Sequence, residues 1–177
     1  MRRAPELLTQ YAEYHRDRRN IATHFVGVPM IVFAVGVLLA RTPFEVAGWT
    51  LTPAWIAFAL TALWWLTRGN LALGAAVSVG TGVLMLAAHR VADGSTAAWL
   101  AWGIGFFAVG WVIQFVGHYY EGRKPAFVDD LTGLLVGPMF VTAEAMFAAG
   151  WNPALLKEIE RRAGPTMVRD LTSPATR

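Results

Sequence analysis

Four uninterrupted apolar runs, Ile21 to Ala40, Trp49 to Thr67, Leu71 to Ala92 and Ala97 to about Tyr120, leave this chain few architectures to choose from. Each approaches or exceeds the roughly 20 residues that an α-helix needs to cross a hydrocarbon core of about 30 Å. In that solvent every backbone N–H and C=O must be paired within the protein, which admits only helices and closed barrels. Continuous apolar runs of this length favour helices. A fifth run, Leu131 to Gly150, contains Gly133, Gly137 and Pro138 and reads as a further crossing or as a re-entrant or tilted element. Composition agrees, since 55% of the 177 residues are apolar and only 15% charged, too apolar for an ordinary soluble domain of this size.

The expected fold class is all-α: an integral membrane helical bundle of four to five transmembrane or re-entrant helices, with an N-terminal amphipathic helix. Pro5 to Arg18 supplies that helix, because Pro5 suits a first helical turn and Leu8, Tyr11, Ala12 and His15 then share one face. Glycines in the third run, Gly74, Gly80 and Gly82, permit close helix packing. Trp64 and Trp65 stand where an interfacial aromatic belt belongs. Residues 1–151 read as one membrane-embedded domain and residues 152–177 as a polar tail, one short helix followed by disorder.

With no cysteine, disulfides, iron-sulfur clusters, zinc-thiolate sites and thiol nucleophiles are excluded, and any metal must use His, Asp or Glu. The net charge of +3 is modest and its cations are scattered between apolar runs, which argues against a nucleic-acid groove. The first run lacks a small-residue cleavage site before Arg41 and does not read as a signal peptide. Counting basic residues puts the N-terminal arm, Arg68, Arg123 and Lys124 on one side and Arg41 and Arg90 on the other, so the arm is expected to be cytoplasmic. Short loops and the absence of organelle signals lean toward a bacterial inner membrane, and an internal eukaryotic membrane fits the same physics. A fifth full crossing would export Lys157, Arg161, Arg162 and Arg169, against the same rule.

The stretch Tyr14 to Pro29, YHRDRRNIATHFVGVP, sets two histidines and an asparagine at the mouth of the first run. On one unbroken helix His15 and His24 would stand about 13 Å apart and half a turn out of phase, so sharing a site requires a turn between them, expected within Arg16 to Asn20. Pro29 removes the backbone donor that would reach Phe25, and a bend there would open space beside His24. Four crossings return the end of the fourth run to the membrane face where the first begins, so His24 and His118 can meet. Gln114, His118 and Glu121 lie on one helical face at spacings of four and three. A His and a Glu so placed can bind one metal.

These motifs resemble those of the membrane-embedded 2-hydroxy fatty acid dioxygenases. The resemblance rests on His15, Asn20, His24, Gly27 and Pro29, then on Gln114, Phe115, Gly117, His118, Glu121, Pro125 and Ala126, with Pro138 and Glu144 beyond. It implies α-oxidation of a 2-hydroxy fatty acid with iron(II) and dioxygen, one carbon being removed. Residue chemistry is compatible: non-haem iron(II) favours imidazoles, often with a carboxylate, and needs open positions for substrate and oxygen. On this reading His15, His24 and His118 are the ligands. Glu121 is a fourth ligand or the partner that orients an imidazole, and Asn20 and Gln114 belong to the catalytic set. Arg19, Arg123 or Lys124 holds the substrate carboxylate, and the acyl chain lies among the helices. The bilayer is a partner, and a homo-oligomer is compatible with the sequence.

Competing readings rest on the same residues. His89 is expected on the opposite face, as a polar end favourable at a helix C-terminus. Glu144, inside an apolar stretch, should face a cavity or a partner. A small transporter would use Glu144 and the His cluster as an ion path, but inverted repeats are not visible. A structural membrane subunit would use the polar residues to bind a partner. A zinc-dependent membrane hydrolase would use the same ligands.

Overall fold

The computed structural model describes residues 2–172. Helix α1 is Ala4–Ala12, with Pro5 in its first turn, and α2 is Arg18–Ala40, capped by Asp17, whose carboxylate accepts the Arg19 N–H. A hairpin of β1, Phe44–Val46, and β2, Trp49–Leu51, leads to α3, Pro53–Leu66, and then α4, Leu71–Ala92. Helix α5, Thr96–Leu100, runs through a π-helical turn at Ala101–Gly105 into α6, Phe106–Glu121. Helices α7, Gly133–Ala148, and α8, Pro153–Ala163, complete the chain. The class is all-α, and α2, α4 and the continuous segment Thr96–Glu121 are long and apolar enough to cross a membrane. Helix α3, at 14 residues, is shorter.

Several boundaries differ from expectation. Helix α1 stops at Ala12, so the turn falls in residues 13–17, earlier than Arg16 to Asn20, and His15 sits in that turn instead of on a helical face. Helix α2 continues through Pro29. Trp49 begins a strand and not an apolar helix, because Ala47 at φ 50 and Gly48 at φ 82 make the two-residue turn that a tight hairpin uses. Trp65 is 3% exposed and donates its indole N–H to the Leu135 carbonyl, a core role in place of an interfacial one.

Tracing the chain gives the bundle two ends. The near end holds the starts of α2 and α4, the ends of α3 and α6, and α1, whose first N–H donates to Arg68 O. The far end holds the hairpin and the α4–α5 turn. Helix α7 returns both its termini to the near end. Its first turn lies on Phe127, and its Leu135 carbonyl meets Trp65 at the end of α3. Near its other end Glu144 pairs with Arg16 at 3.5 Å. Helix α7 therefore lies across the near end, which keeps α8 and its cations beside the N-terminal arm.

A core of Leu7, Leu8, Ile21, Leu73, Met139, Phe140 and their neighbours binds α1, α7 and α8 across the near end. The tail beyond α8 folds back as well, with Met167 exchanging backbone hydrogen bonds with Arg16 and Arg18 and the Arg169 N–H donating to the Asp17 carboxylate. The expected disorder is therefore absent from the described part of the tail, and residues 173–177 lie outside the described residues. Helix α2 packs closely on α6. A Cβ on Gly117 would stand 2.1 Å from Thr23 Oγ1, and one on Gly27 would stand 2.9 Å from Gly110 O. Small residues there let the two backbones meet, which brings His24 and His118 within reach of each other.

Candidate metal centre

Three imidazoles converge at the near end, one from the 13–17 turn, one from the second turn of α2 and one from the last turn of α6. His15, His24 and His118 are all buried, and each offers a nitrogen within 4.8 Å of the others. Their ring centroids stand 4.4, 4.9 and 5.2 Å apart. His15 is further clamped by stacking on Tyr11, with centroids 4.1 Å apart. Burial, followed by the neighbouring His24 and His118, holds its pKa well below the ordinary 6.5, so it is a neutral donor.

Hydrogen bonding fixes which nitrogens face inward. His15 Nδ1 lies 2.7 Å from the Tyr11 carbonyl, and His24 Nδ1 lies 2.9 Å from the Asn20 carbonyl. A carbonyl only accepts, so both Nδ1 atoms carry the proton and both Nε2 atoms present lone pairs. Those two Nε2 atoms are 3.0 Å apart. Two lone pairs at that distance repel unless a cation lies between them. Metal–nitrogen bonds of about 2.0–2.1 Å put adjacent ligand atoms about 3 Å apart, so the spacing suits a shared ion. His118 Nδ1 is buried without a hydrogen-bond partner among the described residues, which supplies a third free donor. The three-histidine group therefore fits a metal ion.

Glu121 lies beside this group but its carboxylate is already engaged. It accepts from the backbone N–H of Arg16 at 2.9 and 3.0 Å, from that of Asp17 at 2.8 Å and from the Asn20 amide at 3.0 Å. Glu121 thus ties the end of α6 to the turn that carries His15. Asn20 also donates to the Tyr14 carbonyl, and its Oδ1 and Gln114 Oε1 are buried without partners among the described residues. Gln114 lines a cavity of about 70 Å³ beside His24 and His118, walled by Tyr11, Pro125, Phe127 and Pro138.

The three cations expected near the headgroups differ in how they are paired. Arg19 forks onto Asp17 and donates to the Arg169 carbonyl, while Lys124 pairs with Asp129. Arg123 donates to the Glu13 carbonyl and has no carboxylate partner among the described residues. Sequence reasoning did not single out Arg16, which is 6% exposed and joins Glu144 to the tail through the Gly164 carbonyl. Nor did it find the stacking role of Tyr11. The aromatic and the arginine look like ordinary helix and topology residues until the chain turns. His89 stands at the far end, bonded to Thr52 and Met85 and stacked on Trp55.

Residues 1–149 match the family model described as 2-hydroxy-palmitic acid dioxygenase Mpo1-like. The 2-hydroxy-palmitic acid dioxygenase MPO1 of Saccharomyces cerevisiae is 30% identical over 154 residues, covering 85% of this chain and 83% of the yeast protein. No solved structure matches. With α1 to α7 and all three convergent histidines inside the matched segment, the chain belongs to the Mpo1-like family.

Proposed function

We propose that this protein is an iron(II)-dependent dioxygenase that shortens 2-hydroxy fatty acids by one carbon. The observation that carries the reading is the pair of unprotonated imidazole nitrogens held 3.0 Å apart, with His118 beside them. His15, His24 and His118 would hold the ion. Bound iron(II) supplies electrons to dioxygen and leaves coordination positions open for a 2-hydroxy acid. In the net reaction the C1–C2 bond breaks. C1 leaves as carbon dioxide, C2 becomes the new carboxyl carbon, and dioxygen takes up the four electrons released, with one water formed.

The surrounding residues have distinct tasks. Tyr11 and the Tyr11 and Asn20 carbonyls fix the ring planes and tautomers of His15 and His24. Glu121 acts through the 13–17 turn as a positioning residue, since its oxygens are occupied by N–H donors. Gln114, with an unpaired Oε1 in the cavity wall, is suited to accept from the substrate hydroxyl. Arg123 is the cation best suited to a substrate carboxylate, because Arg19 and Lys124 already hold carboxylates. The substrate arrives from the bilayer, and the basic near end faces the cytoplasm of a bacterial inner membrane.

Elemental analysis of the purified protein, together with oxygen uptake on 2-hydroxypalmitate, tests the reading. We expect bound iron, oxygen consumption and a product one carbon shorter. His24→Ala and His118→Ala should each lose the metal and turnover while still inserting in the membrane. Zinc with no oxygen uptake would replace this reading with the hydrolase.

A further inference from the structure

The histidine cavity has an apolar neighbour. A second, strongly apolar groove of about 310 Å³ runs between α2, α3, α4 and α6 and shares Ile31, Val32, Trp111, Leu134 and Pro138 with it. On α2 the groove continues through Val35 to Leu39, one residue from the far end of the helix. From His24 to Leu39 is 15 residues, about 22 Å at the helical rise. An extended chain advances about 1.2 Å per bond, as the polypeptide's about 3.6 Å over three bonds indicates, so that length takes about 18 bonds, an acyl chain of about 19 carbons.

We propose that this groove seats the acyl tail of the substrate and that its length, measured from the histidines to Leu39, sets the preferred chain. The inference rests on the function proposed above and deepens it. The wall that the groove shares with the histidine cavity, Ile31, Val32, Trp111, Leu134 and Pro138, is what favours a substrate tail over a bilayer lipid as its occupant, since a tail that passes these side chains reaches the groove from the histidines. Val35 is 37% exposed, so the groove opens sideways and a membrane-dissolved acid enters laterally without leaving its apolar solvent. A bulky side chain at Val35, about 16 Å from His24 along α2, would shorten the channel. Ala57, on the opposing helix, lines the same groove and allows the same test from another wall.

The experiment compares kcat/KM for 2-hydroxypalmitate and 2-hydroxyoctanoate in wild type, Val35→Trp, Ala57→Phe and Val79→Trp, each reconstituted in vesicles with its metal content measured. Val79 lies on α4, 69% exposed and away from the groove. We expect the long-to-short ratio to fall about tenfold or more in both groove variants, since several methylene contacts are lost, and to stay at the wild-type value in Val79→Trp. If wild type turns over both acids and the groove variants keep its ratio, a bilayer lipid fills the groove and this inference fails alone. If metal-loaded wild type turns over neither acid, the proposed function fails and the inference with it.

Discussion

Glu121 illustrates how much depends on single hydrogen bonds at the near end. Its carboxylate accepts from two backbone N–H groups and one amide, all charge-assisted, and converts a flexible turn into a support for His15. Glu121→Gln keeps the shape but removes the charge and turns one acceptor into a donor facing N–H groups. We expect metal affinity to drop by about 10- to 100-fold, as for other groups that orient ligands. Metal titration with His118 intact would check this. Unchanged affinity would make Glu121 merely structural. The spacing of His118 and Glu121 was legible in the sequence, and so was their helical face. Their division of labour was not, because the donors that occupy Glu121 come from a turn 105 residues away.

At the scale of elements, the close meeting of α2 and α6 is what converts two distant motifs into one site. Gly117→Ala would put a methyl group 2.1 Å from Thr23 Oγ1 and 2.5 Å from Asn20 Oδ1, a clash with a helix that cannot shift without moving His24. Overpacking of this kind costs about 1–3 kcal/mol. Thermal unfolding in detergent should show that loss, accompanied by weaker metal binding. Besides the apolar packing of α1 on α7, an exposed ion pair joins the residues leading into the two helices, Arg2 and Asp130. Hydrogen bonds from Thr132 and Arg2 bring the Asp130 carboxyl down to about 2 from 3.8. A depressed carboxylate contributes stability that is full above the unfolded value and is lost as pH falls through the folded one. Between pH 3.8 and about 2, wild type should therefore lose more stability than Asp130→Asn, by an amount that salt reduces. Unfolding curves of the two proteins across that range decide it. Four helical runs could be read directly from hydropathy. The hairpin could not, since its strands are only three residues each. The end of α1 at Ala12 also escaped, because the apolar spacing continues to His15 while the backbone turns away.

For the whole molecule the course of α7 across the near end governs topology. It leaves α8 and the 164–170 segment packed against the N-terminal arm, as the bonds from Met167 and Arg169 to residues 16–18 require. The chain has no cysteine, so single cysteines report location cleanly. In sealed vesicles an impermeant maleimide should reach Lys157→Cys and Arg123→Cys from one side and Glu45→Cys from the other. Labelling of Lys157→Cys together with Glu45→Cys would mean that α7 crosses after all. Hydropathy could not decide this, because a 16-residue apolar helix is short for a span and long for a loop. The decision lies in tertiary partners, Arg16 for Glu144 and Trp65 for Leu135.

The tight turn at Ala47 and Gly48 has a practical consequence. Ala47 holds a left-handed backbone that asparagine or glycine adopts more readily, and the adjoining strands are exposed and remote from the histidines. An epitope or fluorescent module spliced between these two residues would decorate the molecule on the side opposite its chemistry. The same module attached beyond α8 would emerge beside the imidazoles, where it would crowd the very groups whose behaviour it was meant to follow.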